Sequence, residues 1–218
     1  MDSFVYSEGE SVQVHSDDGG HRYGNFHNYY NFHPPKNRID VLQRCGIFDF
    51  IIQRFRIIDK NHLYYCDLGC NEGNLSLEVS QVLSKEQWNI KTLGLDIDTE
   101  LISRARKKDG LVNIDAEFHE CNLLDEQDHM ARCQAFLNEK SASTQRRFDL
   151  LSVFSTTMWI HVHAGDEGLK DFIKRCCHLS DMILMEPQPS KWYDTSFDSY
   201  HQVLFYILYC VLLIGYHK

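Results

Sequence analysis

The chain has no excess of basic residues: 22 Lys and Arg face 31 Asp and Glu among its 218 residues, a formal net charge of −9. That balance excludes a protein that holds nucleic acid by a broad basic surface, although it leaves room for a local pocket gripping one end of a nucleic acid. The first residues, Met1-Asp2-Ser3-Phe4, lack the basic-then-apolar layout of a secretory signal. Without that signal the eight cysteines read as reduced thiols rather than as a disulfide framework, and a cytoplasmic location is expected. Cys66 in particular reads as a buried free thiol within a strand. No apolar run reaches the ~20 residues of a membrane span. The longest, the 14 residues of Val203–Tyr216, reads as core material or an abnormal end, so no membrane association is expected. Internal repeats are also lacking. What is present is 43% hydrophobic and 12% aromatic, the make-up of one globular domain with a proper core.

Along the chain, residues 1–20 are polar and read as a disordered tail. Residues 21–33 are dense in Tyr, Phe, His and Asn, and read either as an arm packed on the domain or as a lid forming part of a site. From Ile39 to Phe55 apolar residues recur at helical spacing. A regular alternation follows. Strands are predicted at Leu63–Leu68, Lys91–Leu95, Ala116–Cys121, Phe148–Phe154 and Met182–Met185. Helices are predicted at Leu75–Leu83, at Thr99–Lys107 with Asp98 or Thr99 as N-cap, within Asp128–Asn138 and at Asp166–Cys177. Such alternation implies an α/β fold, a parallel sheet with helices on both faces, which binds ligands at the carboxyl ends of its strands.

The first strand runs into Asp67-Leu68-Gly69-Cys70-Asn71-Glu72-Gly73-Asn74, a glycine-bearing turn between strand and helix. A dinucleotide fingerprint would place a glycine at the middle position so that the backbone could approach a pyrophosphate; here that position is Asn71. S-adenosylmethionine carries no phosphate, tolerates a side chain there, and suits an acid such as Asp67 near its ammonium and sulfonium. The second strand ends in Asp96, 23 residues after Gly73, about where a ribose-binding carboxylate is expected. Asp96 would accept from both ribose hydroxyls and Ile97 would pack on adenine, while Asn122 and Leu123 at the third strand end would contact the adenine edge. The blander reading makes Asp67 and Asp96 turn and cap residues.

Met158-Trp159-Ile160-His161, Gly165-Asp166-Glu167-Gly168-Leu169 and Glu186-Pro187-Gln188-Pro189, together with Asp67–Gly73 and Leu93–Asp98, resemble the bicoid-interacting-3 domain of RNA 5′-end methyltransferases. The resemblance covers roughly residues 21–193. It implies a class I S-adenosylmethionine-dependent methyltransferase fold, with Arg38, Gly69, Asn71, Asp96, Ile97, Asn122 and Leu123 as cofactor contacts, Phe154 lining the fourth strand end, and Tyr23 as a further candidate. Of the family's two branches, one caps a small nuclear RNA on its γ-phosphate. The other methylates the 5′-monophosphate of precursor microRNA and histidine tRNA. Phe32-His33-Pro34-Pro35 followed by Arg38, and Met158 where the capping branch carries lysine, look like the second.

Two departures stand out. Ser190 follows the Glu-Pro-Gln-Pro string where the family has Trp, and resemblance stops after Tyr193. A class I fold needs two further strands forming an antiparallel edge, so residues 194–218 read as a divergent tail and the last strands as missing or altered.

Displacement at a sulfonium methyl by a phosphate oxygen needs no general base, because the phosphate is already largely a dianion at neutral pH. No catalytic residue is assigned. His161 and His163, after the fourth strand, are the candidate phosphate donors, with a metal pair disfavoured because no third ligand is apparent. The expected partner is a 5′-phosphorylated small RNA, with no protein partner implied and a monomer expected. A small-molecule or protein methyltransferase, and an inactive truncated form, are the rival readings.

Overall fold

The apolar runs of the central chain become strands, and the stretches between them become helices that cover both faces. The computed structural model describes residues 26–58, 62–85, 88–108, 114–140, 147–187 and 210–213. The expected disordered tail at 1–20 and the candidate Tyr23 lie outside the described residues.

After a short helix α1 (Tyr29–Phe32), the elements are α2 (Pro35–Arg44), α3 (Ile47–Ile58), β1 (His62–Leu68), α4 (Asn74–Ser84), β2 (Asn89–Asp96), α5 (Thr99–Arg106) and β3 (Asp115–Glu120). They continue with α6 (Glu126–Lys140), β4 (Phe148–Phe154), α7 (Thr157–Leu179), β5 (Ser180–Glu186) and β6 (Cys210–Leu213). The sheet order is β3-β2-β1-β4-β5-β6. The first five are parallel and β6 runs antiparallel to β5, with Met182 opposite Leu213 and Met185 opposite Cys210. Among the described residues, the tail thus supplies one of the two edge strands that the fold calls for.

Strand alternation sorts the core. Leu63 and Tyr65 of β1 face α2, α3 and α4, packing with Leu42, Ile51 and Val79. Tyr64, Cys66 and Leu68 face the opposite layer with Phe136 of α6 and Phe172 of α7. Both faces of β1 and β4 are therefore apolar, as a doubly covered parallel sheet requires.

Two expected elements come out differently. The single helical stretch at Ile39–Phe55 is divided, because α2 stops at Cys45 and Gly46 takes a positive φ of 70° before α3 begins. The helix expected at Asp166–Cys177 starts nine residues earlier, at Thr157, and breaks at Gly165 (φ 66°, ψ −171°), so that helical spacing on either side of the break is out of phase. Among the described residues no helix is long and apolar enough to cross a membrane.

One aromatic ring locks the β1–α4 turn to the sheet. A Cβ at Gly94 of β2 would lie 2.4 Å from the Phe118 ring of β3, and one at Gly73 would lie 2.7 Å from it. The ring fills the space that both glycines leave open, and it is itself buried. Gly94→Ala should therefore destabilise the fold by ~1–3 kcal/mol through overpacking. Adding Phe118→Leu should recover part of that loss, read as non-additivity of urea-unfolding free energies.

Candidate functional site

The strand order reverses between β1 and β4, and there the carboxyl ends of β1, β2, β3 and β4 open into a cleft. It encloses about 940 Å³ including its open mouth.

The turn after β1 shapes its floor. Gly69 has φ +81°, and a Cβ there would lie 2.1 Å from Thr156 Oγ1, so this glycine is needed for the neighbouring loop to close in. Asn71 holds a left-handed φ of 52°, a conformation asparagine tolerates. Its backbone N–H donates to Asp96 Oδ2 at 2.7 Å, while Asp98 N–H donates to Asp96 Oδ1 at 3.0 Å. Each carboxylate oxygen thus takes one fixed donor and keeps lone-pair capacity for a ligand. Burial raises the Asp96 pKa, and the backbone donors oppose it.

Asp67 is 2% exposed and accepts from Ser76 Oγ at 2.5 Å and Ser152 Oγ at 2.6 Å. Because the one Ser152 proton goes to Asp67, the buried Tyr65 hydroxyl, 2.7 Å away, must be the donor to Ser152. Burial pushes the Asp67 carboxyl up to about 6; the two serines work against this and the charge of Asp96 adds to it.

Arg38 reaches the cleft from α2. Its Nε donates to Glu186 Oε2 at 2.8 Å, and Nη2 donates to the Tyr29 hydroxyl at 2.6 Å and to Ser155 Oγ at 2.9 Å. Burial works against its charge, but Glu186 and Tyr29 outweigh this and raise its pKa. Ser155, directly after β4, holds φ +53° and donates to Glu186 Oε2 at 3.1 Å.

The aromatic segment packs across the strand ends and forms part of the cleft wall. Asn71 Nδ2 donates to the Phe26 carbonyl at 3.2 Å, Arg104 Nη1 to the His27 carbonyl at 2.9 Å, and His27 Nε2 lies 2.9 Å from Asp98 Oδ2. The Asn71 side chain, expected as a cofactor contact, here bonds the arm and Glu72 N–H.

Of the residues singled out from sequence, Arg38, Gly69, Asn71 and Asp96 line the cleft. So do Ile97, Asn122, Leu123 and Phe154, and Asp67 with them. The two histidines part company. His163 lines the cleft, whereas His161 bonds Asp166 Oδ1 at 2.6 Å across the break at Gly165. Residues two apart on a helix point ~200° from each other, so both could not face one cleft. Among the described residues no three His, Cys, Asp or Glu side chains are grouped as metal ligands. Sequence reasoning gave no role to Tyr29, Ser155, Thr156, Trp159 or Glu186. Ser155, Thr156 and Glu186 sit at strand ends, and that position was the available signal.

The buried Asp67 has a thermodynamic consequence. Its folded pKa lies above its unfolded value, so the stability it contributes is present below about pH 4 and lost as pH rises through about 6. The stability of Asp67→Asn relative to wild type should therefore move in the variant's favour as pH rises from 4.5 to 7, by up to roughly 3 kcal/mol. Urea-unfolding midpoints across that range measure it; a relative stability that is flat or moves in favour of wild type with rising pH contradicts the assignment.

The sequence profile of the Bicoid-interacting protein 3 (Bin3) family matches residues 148–204. A pre-miRNA 5′-monophosphate methyltransferase of Xenopus laevis is 34% identical over 194 residues, 86% of this chain and 74% of that protein. One of Danio rerio is 32% identical over 198 residues, 85% of this chain and 75% of that protein. Among solved structures, the bifunctional kinase-methyltransferase WbdD is similar in fold, with a TM-score of 0.51 and 21% identity over 71% of this chain and 30% of that one. The chain belongs to the Bicoid-interacting protein 3 family, on its RNA 5′-monophosphate methyltransferase branch.

Proposed function

We propose that this protein is an S-adenosylmethionine-dependent methyltransferase whose acceptor is the 5′-monophosphate of a small RNA, of the precursor-microRNA or histidine-tRNA kind. The observation that carries the cofactor half is the Asp96 carboxylate, fixed at the end of β2 by two backbone donors and open to the cleft. Membership of the monophosphate branch supports the acceptor half.

The lining fits the cofactor. Asp96 receives the ribose hydroxyls, Ile97 and Leu123 bracket the adenine, and Asn122 stands at its edge. Asp67 and the turn at Gly69 take the methionine end, where an anionic floor suits an ammonium and a sulfonium. The bound cofactor supplies a methyl group on an electrophilic sulfur. Its transfer to a phosphate oxygen, with the S–CH₃ bond broken as the O–CH₃ bond forms, would leave S-adenosylhomocysteine and a phosphate ester with one negative charge fewer.

The chain's own residues orient rather than transfer protons, since the phosphate dianion is nucleophilic without a base. Arg38 uses three of its five N–H donors on Glu186, Tyr29 and Ser155, which holds the guanidinium in place and leaves Nη1 for the phosphate or the cofactor carboxylate. His163 offers a second donor from α7. A neutralised cation such as Arg38 holds the phosphate without withdrawing all of the charge that the attacking oxygen needs. The free thiols among the described cysteines suit a reducing cytoplasmic setting.

The test is a paired assay with S-adenosylmethionine labelled in the methyl group and one small RNA made with either a 5′-phosphate or a 5′-hydroxyl. Label should pass to the phosphorylated RNA at least ~100-fold faster. Equal transfer to both, or transfer only to protein or small molecules, contradicts the proposal.

A further inference from the structure

The cofactor reading accounts for the β1–β3 side of the cleft and leaves unexplained an aromatic pair that spans from the arm to α7. Phe26 of the arm and Trp159 in the first turn of α7 meet edge to face, ring centroids 6.1 Å apart and planes at 63°. Both line the cleft, yet Phe26 remains 38% exposed and Trp159 is only partly buried. This pair is not a loose surface contact. The Phe26 carbonyl is held by Asn71, and the next residue by Asp98 and Arg104, so the ring is presented from a tied backbone.

The acceptor's direction of approach follows from the placement of the acids. With the cofactor's ribose and adenine against Asp96, Ile97 and Asn122, the part of the lining left for the acceptor is that after β4 and at the start of α7, where Ser155, Trp159 and His163 stand. Trp159 and His163 are four residues apart on one helical segment before the break at Gly165. They therefore share a face about one turn, ~5.4 Å, apart. A nucleotide presents its own two recognition groups, phosphate and base, at a comparable separation. Aromatic side chains recognise unpaired bases by stacking, and they do so with little regard to which base it is.

We propose that Trp159, buttressed edge-on by Phe26, is the stacking platform for the base of the acceptor's 5′-terminal nucleotide. This rests on the reading of the acceptor as an RNA 5′-monophosphate and adds to it a base-binding subsite tolerant of base identity. A platform of this kind explains how an acidic chain gathers an RNA end without a broad basic surface. One ring holds the base, and a few donors hold the phosphate.

The experiment compares kcat/KM for a 5′-phosphorylated RNA and for the same RNA with an abasic 5′-terminal nucleotide. The enzymes are wild type, Trp159→Ala and Trp159→Phe, with S-adenosylmethionine affinity measured by calorimetry for each. Wild type should prefer the base-bearing RNA by about 10-fold, within the range for one base–aromatic stack. Trp159→Ala should lose that preference, Trp159→Phe should keep most of it, and all three should bind the cofactor alike. Wild type using both RNAs equally overturns the platform while leaving the acceptor reading intact. So does Trp159→Ala retaining the preference, or weakening cofactor binding as much as RNA use, which would make the pair a cover for the cofactor. Transfer to neither RNA overturns the acceptor reading and the platform with it.

Discussion

The Asp96 peptide and carboxylate tie three loops into one site. The carboxylate accepts from Asn71 N–H in the turn after β1 and from Asp98 N–H in the turn after β2. The Asp96 carbonyl accepts from Cys121 N–H after β3 at 2.8 Å. Asp98, positioned by this same turn, caps α5 by accepting from Leu101 N–H and also meets His27 of the arm. A buried carboxylate is tolerated only when its lone pairs are used, and Asp96 uses them to hold the turns of the cleft together. Loss of this anchor would release the turn, the helix cap and the arm together.

A second device works across the sheet's switch point. Arg38 from α2, Ser155 after β4 and Glu186 at the end of β5 are far apart in sequence and meet through one guanidinium. A charge this deep needs a partner, and Glu186 provides it. The pairing ties α2, and through Tyr29 the arm, to the sheet end beside the cleft. The chemistry asks little more of the protein. On the proposed reading, a dianionic phosphate facing a sulfonium methyl needs alignment and partial charge compensation, the two things a fixed, shared cation can supply.

Much of this was legible in the chain. β1 and β4, an α5 cap at Asp98 or Thr99, and the cleft-lining residues from Gly69 to Leu123 could be read because strands and turns there are specified locally, by apolar runs and by glycine, asparagine and aspartate at turns. The features that could not be read depend on tertiary contact. Nothing near Gly165 announces that α7 begins at Thr157 and breaks, which is why His161 and His163 were both expected to face the cleft. The contact of the Asn71 side chain with Phe26, 45 residues away, has no local signature. The close approach of Thr156 to Gly69 from the neighbouring loop has none either. The antiparallel strand Cys210–Leu213 was hidden in an apolar tail without turn signals.

The location of the transferred methyl group tests the account most directly. Mass spectrometry of the 5′-terminal nucleotide, released after reaction of the protein with S-adenosylmethionine and a 5′-phosphorylated small RNA, should find a single methyl ester on the terminal phosphate or, with further turnover, a second one on that phosphate. A methyl on a base, on a ribose hydroxyl or on an internal position would contradict it.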